Sequence, residues 1–148
     1  MLTDSLWNFC GNSPGQAITA TAASTNYVDL LALGVIPGNP TATATRDLGK
    51  GNKIPILIQV TETFATLTSL VAAIQTDSDS GFATALTTVL ASQAIPVASL
   101  VAGYRFNLDF IPTRTTQRYM RLNFTVAGSN ATAGKIFAST VLAHQDSY

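Results

Sequence analysis

Large apolar side chains fall at every second position in two segments of the chain. Residues 104–110 and residues 119–126 both show this alternation, with polar side chains between most of the apolar ones. An alternation of period two is typical of a β-strand that has one buried and one solvent-exposed face. We therefore predict that the inward-facing residues of these two strands are Phe106, Leu108, Met120, Leu122, Phe124 and Val126.

Weaker apolar runs extend this pattern along the chain. Residues 54–60 alternate less cleanly, and Pro55, which cannot donate a backbone hydrogen bond, predicts that a strand starts there or runs at a sheet edge. Residues 67–76 are apolar on both faces, which fits either a covered central strand or a short buried helix. The remaining candidate strands are residues 17–21, 27–33, 84–92, 98–102 and 135–143.

The number and spacing of these runs predict an all-β chain. About eight or nine short strands are separated by turn residues roughly every ten positions, as in a β-sandwich or barrel. Residues 77–81 (DSDSG) separate two runs as a hairpin loop would. We expect one domain over residues 16–148, preceded by an irregular N-terminal arm at residues 1–15 and containing one long loop at residues 34–52.

Charge and composition narrow the possible functions. Eight Lys and Arg balance eight Asp and Glu, and charged residues make up 11% of the chain, against about 25% in an ordinary soluble domain. A neutral chain excludes electrostatic binding of nucleic acid, which needs a basic stripe. No apolar stretch reaches the roughly 18 residues of a membrane span, so we expect no membrane partner. A poorly charged surface favours association, which indicates a component of an assembly.

The residue types needed for catalysis or metal binding are scarce. A Ser or Cys nucleophile needs a base, and the only histidine is His144. The single Cys10 can form neither an internal disulfide nor, with one histidine, a zinc site. Asp77 and Asp79 lack the further ligands of a calcium loop, so we interpret them as part of a polar hairpin loop. We expect no enzymatic activity, no cofactor and no metal.

A cluster of arginines is the first candidate contact surface. Half of the eight basic residues lie in one stretch, at Arg105, Arg114, Arg118 and Arg121. The alternation places Arg105 and Arg121 on the solvent-exposed faces of their strands. There they could pair with acids such as Asp109 and cover apolar surface with their stems, or they could contact a partner. The sequence leaves both possibilities open.

Two further segments are candidates for contact with a neighbouring chain. Apolar side chains in an irregular arm must either fold back onto their own core or dock on a neighbour, and those of the arm are Leu2, Leu6, Trp7 and Phe9. Charged residues around the long loop would determine how a partner is aligned on it more than how tightly the partner binds. These residues are Arg46, Asp47, Lys50 and Lys53.

Three segments of the chain form a recognisable series. The first is residues 16–30 (QAITATAASTNYVDL), the second joins residues 58–64 (IQVTETF) with residues 73–77 (AIQTD), and the third is residues 118–128 (RYMRLNFTVAG). In this order they resemble the jelly-roll cement (decoration) proteins of tailed-phage capsids, over about residues 16–145. Residues 34–52 look like an insertion relative to that pattern.

The resemblance implies a fold, a function and partners. Such proteins are small antiparallel jelly-roll sandwiches that form trimers on the outer surface of the head, where they bridge subunits of the major capsid protein. The resemblance therefore implies a non-enzymatic homotrimer on the virion surface that stabilises the shell. The alternative is a carbohydrate- or receptor-binding jelly-roll module of a phage tail or fibre, for which Tyr104 and Tyr119 would be the candidate aromatic residues.

Overall fold

Most of the described residues lie in β-strands. The structure, a computed structural model, describes residues 3–11, 14–30, 35–36, 39–43, 54–108 and 117–141. Its strands are β1 (Thr3–Asn8), β2 (Gln16–Ala17), β3 (Ala22–Ala23), β4 (Val28–Asp29), β5 (Val35–Ile36), β6 (Asn39–Thr43), β7 (Ile56–Asp77), β8 (Thr87–Ala91), β9 (Ile95–Pro96), β10 (Arg105–Leu108) and β11 (Tyr119–Val141). A 3-10 helix covers Val97–Ser99, and the described ranges contain no α-helix.

Two long strands organise the sheet. β7 has 22 residues and β11 has 23, and they pair antiparallel from Ile56 opposite Thr140 to Asp77 opposite Tyr119. The other edge of β7 carries β10, β9 and β8, and the other edge of β11 carries β1, β2, β3 and β4. These nine strands form one sheet, while β5 and β6 pair separately. All pairings are antiparallel, as predicted.

The β7–β11 ribbon is irregular in its middle, where the pairing register shifts. Thr66, Gly128 and Gly134 have φ angles of 74°, 82° and 137°, in the region that favours glycine. A Cβ atom at Gly128 would overlap the side chain of Thr68, and one at Gly134 would overlap the ring of Phe64. Bulges of this kind bend strands and increase their twist, so the long ribbon curls at this point.

The curl gives the ribbon two halves that share one core. The first half comprises residues 56–65 and 131–141, and the second comprises residues 67–77 and 119–128. Fully buried side chains from both halves belong to one hydrophobic cluster, which includes Ile56, Ile58, Val60, Leu70, Ile74, Leu122, Phe124 and Ile136. A sheet whose halves cover a common core is a two-layer arrangement. The predicted all-β, antiparallel sandwich is confirmed, and it is consistent with a jelly roll.

The predicted inward-facing residues are also confirmed. Four of the six are buried, namely Leu108, Met120, Leu122 and Phe124. The other two, Phe106 and Val126, are partly buried and pack against the core. The alternation of the sequence therefore reports the correct face of both strands.

Several predicted elements have different bounds in the structure. Residues 56–60 of the predicted 54–60 run and residues 67–76 belong to one strand, β7, which starts directly after Pro55. Residues 67–76 are therefore part of a central strand and not a helix. Residues 98–102 do not form the predicted strand. They contain the end of the 3-10 helix and a turn, in which the Tyr104 N–H donates to the Val101 carbonyl at 3.0 Å.

The N-terminal segment is not irregular throughout, contrary to prediction. Thr3–Asn8 form β1, which pairs with the end of β11. An edge strand gains backbone hydrogen bonds by this pairing, which continues after β1 where the Phe9 N–H donates to the Ala138 carbonyl at 2.9 Å. The long loop predicted at residues 34–52 contains the β5–β6 pair, and its other residues lie outside the described ranges.

Candidate functional site

Parts of the three segments that carry the resemblance meet at one end of the second half of the ribbon, while residues 58–64 of the second segment lie in the first half. β11 pairs with β4 through Tyr119 opposite Asp29, and with β7 through Tyr119 opposite Asp77 and Arg121 opposite Gln75. Tyr119 and Arg121 alternate with buried residues of β11, so they point away from the core. We call this surface the β4–β11–β7 face, and it consists of Tyr27, Asp29, Gln75, Phe82, Arg118, Tyr119 and Arg121.

An ion pair joins β4 to the start of β11. Arg118 donates from Nε to Asp29 Oδ1 at 2.8 Å and from Nη2 to Asp29 Oδ2 at 2.6 Å. This two-point geometry matches the planar guanidinium to the carboxylate. The hydrogen bond to Asp29 raises the pKa of Arg118 above its ordinary value, although burial opposes the shift. The charge of Arg118 is therefore neutralised within the chain.

Three aromatic rings form a cluster beside this ion pair. The ring centroids of Tyr27 and Tyr119 are 5.5 Å apart and those of Tyr27 and Phe82 are 6.1 Å apart, both in edge-to-face arrangements. Phe82 is 8% exposed, whereas Tyr27 is 49% exposed. Edge-to-face contacts of this kind stabilise aromatic clusters. The cluster thus has a buried base and a ring that is open to solvent.

The buried carboxylate of Asp77 holds the loop after β7 at two points. This side chain has no exposed surface, and it accepts hydrogen bonds from the backbone N–H groups of Asp79 at 2.9 Å and Ala85 at 3.1 Å. Burial opposes ionisation of Asp77, but these and neighbouring backbone N–H groups outweigh it and lower the pKa of Asp77. The polar hairpin loop predicted here is observed. Its first carboxylate, that of Asp77, accepts backbone N–H groups of the loop.

The ordered loop places Phe82 under Arg121. Phe82 has a φ angle of 54°, which is uncommon for a residue with a side chain, and the Arg121 guanidinium lies 4.2 Å from its ring centroid. Arg121 also donates from Nε to Gln75 Oε1 at 3.0 Å. Burial lowers the pKa of Arg121, and the charge of Asp77 opposes that shift. Arg121 is thus a half-buried cation with a fixed orientation.

Arg121 forms no ion pair with an acidic side chain in the described part of the chain, although the charge of Asp77 acts on it from nearby. The ion pairs there are Arg118–Asp29 and Lys135–Glu62, the latter with a distance of 2.6 Å. No hydrogen bond joins either Nη group of Arg121 to the described residues. The predicted contact residue Arg105 lies exposed on β10, opposite Gln59 in the first half of the ribbon. The structure therefore does not bring Arg105 and Arg121 together on one strand pair.

The N-terminal candidates contact the core of their own chain as far as the structure describes them. Phe9 is fully buried in the core of its own chain, which is the first of the two placements that the sequence left open for the arm. Trp7 is half-buried and packs against the same core. Cys10 is also buried, and burial raises the pKa of its thiol to about 12. The candidates outside the described side chains are Leu2, Leu6, Arg46, Asp47, Lys50 and Lys53.

The sequence alone did not identify several residues of the β4–β11–β7 face. Tyr27, Asp29 and Gln75 each lie in a segment recognised as a candidate strand, but their meeting depends on the register of three strands distant in sequence. Phe82 directly follows residues 77–81, the segment interpreted as a polar hairpin loop, and the sequence assigns it to no element. The signal that could have found it is an isolated large apolar residue within a turn-rich stretch, which needs an apolar contact.

The side chains of the β4–β11–β7 face are of the types that bind another protein. Within the described ranges, no three His, Cys, Asp or Glu side chains are grouped so that they could hold a metal ion. No helix in the part of the chain that the structure describes has the length and apolar character to cross a membrane. What the arrangement provides is an exposed aromatic ring beside an oriented guanidinium. Both groups are enriched among the residues that anchor protein interfaces.

Comparison with known proteins gives one family match. The model of the Bbp16 family matches residues 12–140, which include β2 to β10 and nearly all of β11. The match contains all residues of the β4–β11–β7 face. Comparison with curated proteins gives no match.

Proposed function

The chain belongs to the Bbp16 family, and on that premise we propose that it is a non-enzymatic structural protein of a phage head. In this proposal it is a cement protein that binds the outer surface of the capsid and bridges subunits of the major capsid protein. The stabilised shell then withstands greater heat or internal pressure.

The observation that carries the proposal is the convergence of parts of three segments on one face. Residues 16–30, residues 73–77 of the second segment and residues 118–128 are distant along the chain but contribute neighbouring side chains to the β4–β11–β7 face, whereas residues 58–64 of the second segment lie in the first half of the ribbon. That face holds an exposed tyrosine and an oriented arginine, the chemistry of a protein contact. The hydrophobic core shared by the two halves of the ribbon lies beneath this face and holds its strands in place.

The proposed mechanism is mechanical. A protein that contacts several shell subunits at once restrains each of them relative to its neighbours. Once one contact has formed, the others become intramolecular, so modest individual contacts combine through a high effective concentration. Stabilisation of the shell therefore needs neither a cofactor nor a chemical step.

The test compares heads of the encoding phage with and without this protein. Heads that lack it should release their genome at a lower temperature, and adding the purified protein back should restore the original release temperature. Heat-induced genome release can be followed by the fluorescence of a DNA-binding dye. Equal release temperatures in all three samples would contradict the proposal.

We further propose that the protein acts as a homotrimer, a number that comes from the resemblance. A stable assembly of chains this size should bury on the order of 1,000 Å² or more in each pairwise contact. Sedimentation analysis of the free protein and image reconstruction of the head would measure the number of copies that associate. A monomer in both states would contradict self-association, and a dimer would contradict the number three alone.

A second candidate function is carbohydrate or receptor binding on a phage tail or fibre. It is favoured by Tyr27, whose exposed ring lies beside the Arg118–Asp29 pair, because sugar and ligand sites combine aromatic rings with a few polar groups. Of the two tyrosines expected from the sequence, Tyr104 packs against the core and Tyr119 has Arg118 5.0 Å from its ring centroid. A glycan array without binding would remove this candidate.

A further inference from the structure

Arg121 differs from the other described cations in how it is held. Arg118 and Lys135 are each paired with a carboxylate of the chain. Arg105 is exposed on β10, and no hydrogen bond or ion pair fixes it to the described residues. Arg121 alone among these four is oriented by neutral groups, the ring of Phe82 and the amide of Gln75. The Arg121 side chain is therefore fixed in place, and no carboxylate of the described residues contacts its guanidinium directly.

The carboxylates near this face are already engaged. Asp29 accepts both hydrogen bonds from Arg118. Asp77 accepts backbone N–H groups and has no exposed surface, and Asp79 accepts the Gly81 N–H at 2.9 Å. None of them forms an ion pair with Arg121. The charge of Asp77 acts on Arg121 without touching it, so a carboxylate in direct contact with Arg121 would have to come from outside this set of residues.

The Arg121 guanidinium is already oriented to bind a carboxylate. Its Nε is used by Gln75, so the two Nη groups, which have no partner among the described residues, remain for a two-point contact with a carboxylate. Stacking on Phe82 and partial burial limit the motion of the side chain and its hydration. A group held in its binding orientation loses less conformational entropy when a partner arrives.

We propose that the β4–β11–β7 face binds a carboxylate-bearing loop of the shell subunit, with the Arg121 guanidinium receiving the carboxylate and the exposed ring of Tyr27 packing beside it. This inference rests on the proposed cement function and names the surface that performs it. Charge complementarity selects an acidic partner segment. Tyrosine and arginine together are the usual anchors of such contacts.

The experiment measures binding of purified variants to heads that lack the protein. Arg121→Gln removes the charge and the Nη donors, and Tyr27→Ser removes the exposed ring. Lys135→Gln is the matched control, because it also removes one positive charge but lies in a partly exposed ion pair on the first half of the ribbon. Melting temperature and sedimentation of each free variant are recorded alongside.

We expect Arg121→Gln to bind heads roughly 30-fold more weakly than the wild type, with Tyr27→Ser weakened by roughly tenfold. The control should bind within about twofold of the wild type, because Lys135 lies outside the β4–β11–β7 face and a partly exposed ion pair contributes little to the fold. Melting temperatures should stay within about 4 °C of the wild type. The affinity of Arg121→Gln should also depend less on salt than that of the wild type, because one charged contact is lost.

Each other outcome overturns a distinct statement. If the wild type does not bind heads, the proposed function fails. If the wild type binds and both variants bind equally well, this inference alone fails. A large fall in the melting temperature of Arg121→Gln would mean that the carboxylate belongs to the chain itself, and altered sedimentation would mean that the face contacts a second copy. If Arg121→Gln does not fold, Tyr27→Ser still decides whether the face binds heads.

Discussion

Arg118 and Asp29 are 89 residues apart in sequence, and they are joined by two hydrogen bonds of 2.8 and 2.6 Å. The pair fixes the two-residue strand β4 against the long strand β11. A strand this short has few backbone hydrogen bonds of its own, so a side-chain contact adds to its attachment. The pair also keeps Arg118 and Tyr119 in place beside Tyr27.

The first prediction concerns this ion pair. Asp29→Ala and Arg118→Ala should each lower the urea midpoint of unfolding, and the double variant should lose less than the sum, because each single change leaves the other charge unpaired. Both side chains are about one-third exposed, so the coupling should shrink at high salt. Strictly additive losses at all salt concentrations would contradict the contact.

The second prediction concerns Asp77. Its pKa is lowered in the folded state, so its ionised form stabilises the fold at neutral pH, and this contribution is lost as the pH falls below about 4 through the lowered pKa. Asp77→Asn should melt at a lower temperature than the wild type at pH 7, and the difference should narrow towards pH 2. Thermal unfolding followed by circular dichroism over this range measures both.

A matched variant for the Asp77 experiment is Asp79→Asn. Asp79 is an exposed carboxylate in the same loop and accepts one backbone hydrogen bond, from Gly81. We expect it to lower the melting temperature at pH 7 by less than Asp77→Asn. Equal effects of the two variants would mean that Asp77 does not organise the loop.

The third prediction concerns the bend of the ribbon. Gly134→Ala should destabilise the protein by more than about 1 kcal/mol, because alanine is strained at this positive φ and its Cβ would overlap Phe64. Gly103→Ala is the control, since Gly103 also has a positive φ but has open space around its Cβ position. Urea unfolding should place Gly103→Ala between the wild type and Gly134→Ala, and the reverse order would contradict the steric argument.

The fourth prediction concerns the N-terminal segment. Phe9→Ala should destabilise the free protein by about 3–5 kcal/mol, as expected for a large buried aromatic residue. Leu86→Ala, at an apolar side chain that is 46% exposed, should have a small effect. Unchanged stability of Phe9→Ala together with reduced occupancy of heads would instead indicate that Phe9 docks on a neighbouring chain.

How much of the fold is predictable from the sequence depends on how regular each element is. The alternation in residues 119–126 identifies both a strand and its buried face, because burial on one side leaves a period of two in the sequence. The same strand continues to Val141, but this is hidden because bulges around Gly128 and Gly134 interrupt the alternation. Isolated two-residue strands such as β3 are set by the neighbouring strand and leave no pattern of their own.

The candidate site is predictable only in part for a related reason. The alternation assigns Arg121 to the solvent-exposed face, and the structure agrees that it points away from the core. Among the described residues it contacts Gln75, 46 residues earlier in β7, and Phe82, in the loop after that strand. Such neighbours follow from strand register and from the conformation of a loop, and neither is encoded in the spacing of residues along β11.

The passage of β7 and β11 through both halves of the sheet has a consequence for how the domain unfolds. Each half shares its two central strands with the other, so neither layer can lose its hydrogen bonds at the bend without exposing apolar surface on both sides of the core. Loss of structure should therefore be all-or-none across the two layers. Slowly exchanging amides should be spread along both long strands, with faster exchange confined to the short strands at the margins.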